Sequence, residues 1–99
     1  MLPAIFEPKI TARRFLISGL VQGVGFRYFA QRASARYQVK GYVRNLADGR
    51  VEALAEGPAE LVEKFKMDLA AGPSHSRVDG IEEVVVEPTG LFSTFRIER

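Results

Sequence analysis

Two short segments carry the residue types that do chemistry. Gln22-Gly23-Val24-Gly25-Phe26-Arg27 sets two glycines and then an arginine at the entry to a helical pattern, and Gly41-Tyr42-Val43-Arg44-Asn45 ends an alternating run on an amide. At a helix N-terminus the first backbone N–H groups lack intrahelical partners and the helix dipole favours a negative ligand. Glycine lets that backbone approach the ligand closely, so the amides of Val21, Gln22, Gly23, Val24, Gly25 and Phe26 form a candidate anion nest. Arg27, just inside the helix, adds a charged donor that can bind an oxyanion bidentately. The same residues also suit a tight strand-to-helix connection with a solvent-facing arginine. Asn45, the one asparagine in the chain, offers both a donor and an acceptor without titrating, which suits it to hold a water beside a bound phosphorus. It equally suits capping the turn toward Asp48-Gly49.

Spacing excludes the other phosphate loops. There is no G-x-x-x-x-G-K-[ST], and Tyr28 stands where a dinucleotide fingerprint needs its third small residue. No nucleotide or other cofactor is implied. With no cysteine and a single histidine, a transition-metal site would rest almost wholly on carboxylates. That histidine, His75, lies in the turn-like Gly72-Pro73-Ser74-His75-Ser76 and reads as a solvated loop residue.

Alternation and helical period supply the elements that position these groups. Arg14 to Ser18 reads as an apolar strand running into the glycine loop, and Phe26, Phe29, Ala30, Ala33 and Tyr37 make one helical stripe, with Arg27, Gln31 and Ser34 turned away from it. Val39, Gly41 and Val43 alternate with Lys40, Tyr42 and Arg44, and the inward parity continues to Asn45. Asp48-Gly49 signals a hairpin into Val51, Ala53 and Ala55, which alternate with Arg50, Glu52 and Glu56. Gly57-Pro58 opens a second helix with Leu61, Val62, Phe65 and Leu69 on its apolar face, and Gly72-Pro73 ends it. Val78 to Glu87 and a short segment bearing Phe95 and Ile97 read as strands.

This order is β-α-β-β-α-β with a short extra C-terminal strand. It predicts an α+β, ferredoxin-like split βαβ fold with two helices on one face of an antiparallel sheet. Residues 1–12, with two prolines and no sustained period, read as an N-terminal arm, and residues 13–99 as the domain. If the first and third strands pair centrally, the glycine loop and the end of the second strand open at one end of the sheet, where Arg27 and Asn45 converge on one anion.

With these blocks in place the chain resembles the acylphosphatase family over about Arg13 to Arg99. The resemblance rests on Gly19-Leu20-Val21-Gln22-Gly23-Val24-Gly25-Phe26-Arg27, on Gly41 to Asn45 followed by Asp48-Gly49-Arg50-Val51-Glu52, and on Gly72-Pro73. It implies hydrolysis of the carboxyl–phosphate bond of acyl phosphates, with Arg27 and the loop amides from Val21 to Phe26 holding the phosphate and Asn45 orienting water. A phosphate or sulfate is then expected at the loop. Leu20 departs from the pattern, since relatives often carry a basic residue there. A second resemblance is to the acylphosphatase-like domain of large carbamoyl-transfer maturation proteins.

The chemistry matches what the chain lacks. An acyl phosphate expels a carboxylate, a weak base, so no acid–base histidine or carboxylate pair is demanded. The other reading is a ferredoxin-like module that binds a small anion without hydrolysis, which has no use for Asn45. RNA binding, a third reading of the same element order, is not expected, because Arg50 to Ala55 offers no aromatic platform. A formal charge of +2 attracts small anions rather than nucleic acid. The absence of cysteine and of long apolar runs predicts a cytoplasmic protein with no membrane association, and a monomer is expected.

Overall fold

The elements follow the expected order in a computed structural model, which describes residues 9–99: β1 (Ile10–Leu20), α1 (Phe26–Tyr37), β2 (Lys40–Asn45), β3 (Val51–Pro58), α2 (Ala59–Ala71), β4 (Arg77–Val86) and β5 (Phe95–Glu98). Strand pairing begins earlier than the alternation announces, because Ile10, Thr11 and Ala12 already face Pro58, Gly57 and Glu56. The last residues of the expected arm are thus strand, and residues 1–8 lie outside the described residues.

The sheet runs β4-β1-β3-β2-β5 with β1 and β3 adjacent near its centre. β1 pairs antiparallel with β3 and β4, and β2 with β3, but β5 lies parallel to β2 from Gly41↔Phe95 to Arg44↔Glu98. The sheet is therefore mixed, which corrects the antiparallel expectation. After β4 on one edge the chain crosses through residues 87–94 to the opposite edge and enters beside β2 in the same direction. Alternation over four residues carries no record of which neighbour a strand meets, or in which sense.

Period-two alternation sends Phe15, Ile17, Val43, Val51, Ala53 and Ala55 to one side of the sheet, where none is exposed. α1 brings Phe26, Ala30 and Ala33 to that side, and α2 brings Val62, Phe65 and Leu69, as the helical stripes predict. Phe65 bridges the interior strand β1 and the edge strand β5, with its ring 6.5 Å from Phe15 and edge-on to Phe95 at 5.5 Å. Each such ring contributes about 1.5–3 kcal/mol through removal from water. β5 is short, yet Phe95 secures it to the core.

Two local expectations change. Ser34, read as facing away, is buried, and its hydroxyl is satisfied by donating to the Gln31 carbonyl at 2.6 Å. Glu52 and Glu56 do lie on the face opposite the helices, but they are buried there. Arg44 Nε lies 2.6 Å from one Glu52 oxygen and Arg14 Nε 3.8 Å from the other, while the Tyr42 hydroxyl donates to Glu52 at 3.2 Å. Glu56 accepts from the backbone and hydroxyl of Thr89 and the backbone of Gly90, all in the crossing segment. Side chains and a loop cover these carboxylates, which strand parity alone does not reveal.

Candidate active site

Because β1 and β2 both run antiparallel to β3, they point the same way and finish at the same end of the sheet. Ile17 and Asn45 meet Val51 from its two sides, so the loop after β1 and the last residue of β2 are held at a fixed lateral spacing. The loop then enters α1 through Gly25, whose φ of 77° and ψ of 20° lie in the left-handed region that glycine adopts without strain. The Gly25 carbonyl accepts from Phe29 N at 3.0 Å, which starts the helix.

α1 has no side-chain cap and no acidic residue in its first turn. No side chain of the helix's own cap or first turn answers its leading amides or the positive end of its dipole. Val21 and Phe26, both almost fully buried, pin the two ends of the loop to the core.

The loop and the end of β2 enclose a hollow of about 140 Å³ lined by Val21, Gly23, Gly25, Phe26, Arg27, Tyr28 and Asn45. At about 30 Å³ per water this holds four or five waters, the scale of a tetrahedral oxyanion with an attacking water. Arg27 Nη1 donates to the Glu98 carbonyl of β5 at 3.3 Å. Among the described residues Arg27 has no carboxylate at ion-pair distance, so its charge faces the hollow with only a carbonyl for company.

Asn45 is free of the turn that follows it. That turn is closed by Leu46 N donating to the Arg50 carbonyl at 2.8 Å, by Gly49 N donating to the Leu46 carbonyl at 3.2 Å, and by Arg50 N donating to Asp48 Oδ1 at 3.0 Å. The Arg50 amide, joined by its guanidinium, holds the Asp48 carboxyl below its ordinary value. Capping falls to Asp48, and among the described residues the Asn45 side chain makes no hydrogen bond to protein.

Of the loop residues singled out by sequence, Gln22 and Val24 do not border the hollow. Val24 packs against the core. The Gln22 amide turns to the hairpin, donating to the carbonyls of Leu46 and Arg50. Sequence reasoning missed three features: this use of Gln22, the Glu98 carbonyl on Arg27, and Tyr28 at the rim, 56% exposed. Tyr28 follows Arg27 directly, and its helical position outside the apolar stripe was the available signal. His75 is exposed at a turn position with φ 69°. No group of three His, Cys, Asp or Glu side chains among the described residues is placed to share a metal ion, and no described helix is long and apolar enough to cross a membrane.

Residues 13–97 match the family model described as Acylphosphatase. The chain belongs to the acylphosphatase family. An acylphosphatase of Koribacter versatilis is 46% identical over 100 residues, covering 97% of this chain and 91% of the relative. One of Thermus thermophilus is 45% identical over 84 residues, covering 85% and 92%. The crystal structure of acylphosphatase from Bacillus subtilis superposes with a TM-score of 0.87 at 36% identity, covering 90% of this chain and 99% of that one. Full-length HypF in its phosphate- and nucleotide-bound form superposes with a TM-score of 0.85 at 32% identity, over 96% of this chain but only 12% of that one. Matches that span acylphosphatases nearly end to end give this chain their activity, the hydrolysis of acyl phosphates.

Proposed function

We propose that hydrolysis takes place in the hollow between the β1–α1 loop and β2, with the amides of the loop residues that border it, Val21, Gly23, Gly25 and Phe26, and the Arg27 guanidinium holding the phosphate and Asn45 orienting the attacking water. One observation carries this reading: Arg27 and Asn45, from different elements, border the same hollow, and neither is committed to a carboxylate or a turn.

The division of labour follows from the chemistry. Phosphoryl transfer with a carboxylate leaving group passes through a loose transition state, so catalysis is positioning and charge neutralisation. Arg27 neutralises the equatorial oxygens, and the α1 dipole adds to it. The hollow is walled without Asp, Glu, His or Cys. Its residues provide no carboxylate, imidazole or thiolate to hold a metal or to serve as general base, which supports a metal-independent reaction in which the water gives its proton to the substrate's own phosphate oxygen. Inorganic phosphate or sulfate binds at the same loop.

The enzyme acts as a cytoplasmic monomer in this reading. The lack of cysteine suits a reducing compartment. Glu82 places an exposed charge on the edge strand β4, which discourages pairing with a second copy.

The test is hydrolysis of benzoyl phosphate with excess chelator, comparing the parent with Arg27→Gln and Asn45→Ala at matched circular dichroism. Fast parent turnover that survives chelation, and a fall of about 10²-fold or more in each variant, is the expected result. Chelator-sensitive turnover, or a fully active Asn45→Ala, contradicts the reading.

A further inference from the structure

The Gln22 side chain belongs to the anion loop but serves the hairpin. Its Nε2 donates to the Leu46 carbonyl at 2.8 Å and to the Arg50 carbonyl at 2.9 Å. These carbonyls flank the mouth of the hairpin, immediately beyond the closing pair Asn45↔Val51. A primary amide has two N–H donors, and both are spent, one on each side of that mouth. Glutamate, equal in size, would set acceptors against two acceptors, and methionine would bring no donor at all.

The hairpin does not need Gln22 to close, because its own backbone bonds and Asp48 already do so. What the clamp fixes is the place of the hairpin relative to a loop 24 and 28 residues away in sequence. Asn45 is the residue next to one clamped carbonyl. Gly23 and Gly25, which wall the hollow, are the residues just beyond the other end of the clamp.

We infer that Gln22 is a positioning residue for the hydrolysis: by tying the Asn45 hairpin to the anion loop it sets the distance between the oriented water and the phosphorus. This rests on the roles proposed above for Arg27 and Asn45. A displacement of about 1 Å between reacting groups can cost about 10²-fold in rate. Phosphate affinity, by contrast, comes from Arg27 and the loop amides, all on one side of the clamp, and does not depend on where the hairpin sits.

The experiment measures kcat for benzoyl phosphate and the inhibition constant of inorganic phosphate in the parent, Gln22→Met, Asn45→Ala and the double variant. Gln22→Met is expected to lower kcat about ten- to hundredfold and to leave the phosphate inhibition constant within about twofold. With Asn45 already replaced, the second substitution has no further effect on kcat, since the two act as a unit. An undiminished fall of kcat in the Asn45→Ala background overturns the inference, as does a loss of phosphate affinity that matches the loss of kcat. Should Gln22→Met fail to fold by circular dichroism, Gln22→Asn keeps the amide on a stem one methylene shorter, and full activity there overturns the inference equally. A parent-like Gln22→Met beside a crippled Asn45→Ala removes the clamp alone, whereas an unimpaired Asn45→Ala removes the site reading beneath it.

Discussion

Arg44 and Arg27 occupy opposite kinds of surroundings. Arg44, on the sheet face away from the helices, lies 2.6 Å from the buried Glu52 carboxylate and 5.4 Å above the Tyr42 ring. Glu52 holds its guanidinium above the ordinary arginine value through that hydrogen bond. Arg27, at the mouth of the hollow, meets a neutral carbonyl at 3.3 Å. A guanidinium already matched to a carboxylate contributes to the fold and has little attraction left for an incoming anion. One steered by a carbonyl is held in direction but keeps its charge. The molecule thus separates cations that fasten the sheet from the one cation proposed to meet the substrate.

The comparison breaks most visibly at Arg27. Arg27→Gln is expected to lower kcat/KM for benzoyl phosphate by about 10³-fold or more while moving the unfolding free energy by no more than about 0.5 kcal/mol. Paired kinetics and urea denaturation check both halves. A large loss of stability would place Arg27 with the fastening cations.

Gly41 tests whether β2 can carry both regions at once. At φ 147° a Cβ there would sit 1.9 Å from the Leu54 carbonyl oxygen, in a backbone conformation that other residues rarely adopt. Gly41→Ala should cost about 2 kcal/mol or more in urea denaturation and lower activity through the displaced Asn45. Unchanged stability would show that β2 yields more readily than its packing implies.

On the opposite face, Glu52→Gln leaves Arg14 and Arg44 without their carboxylate and should cost about 1–3 kcal/mol, with kcat retained. A fall in kcat as large as the one at Arg27 would erase the distinction between the two regions.

Tyr42 gives the smallest effect. Burial first, and then the negative charge of Glu52, raise its pKa above 10.0. The folded state therefore favours the neutral phenol: this contribution is complete below the unfolded value and is lost as pH rises through the folded one. Tyr42→Phe should flatten the alkaline limb of the stability curve above pH 10, seen by comparing urea midpoints at neutral and alkaline pH. An unchanged limb would mean that other groups govern it.

The sequence made the inner half of the molecule readable. Phe15, Ile17, Val43, Val51 and Ala53 declare their side by alternation, and Phe26, Ala30, Val62 and Phe65 by helical period, because apolar residues leave water in a repeating geometry. That Arg27 and Asn45 border one hollow was readable because glycine punctuation and strand parity are local. The direction of β5 was not readable, nor was the burial of Glu52 and Glu56, since each depends on a partner distant in sequence. The Gln22 side chain escaped for the same reason. Its residue type announces two donors, but the acceptors are backbone carbonyls that only the folded chain brings together.

The bond from Arg27 to the Glu98 carbonyl spans 71 residues. At about 5–20 residues per second a ribosome needs about 4–14 s to make that stretch. The anion loop emerges early and waits unfinished until β5 crosses the sheet. A nascent chain thus holds every side chain of the hollow before it holds a steered Arg27, and hydrolysis on refolding should report the docking of the last strand rather than the collapse of the core.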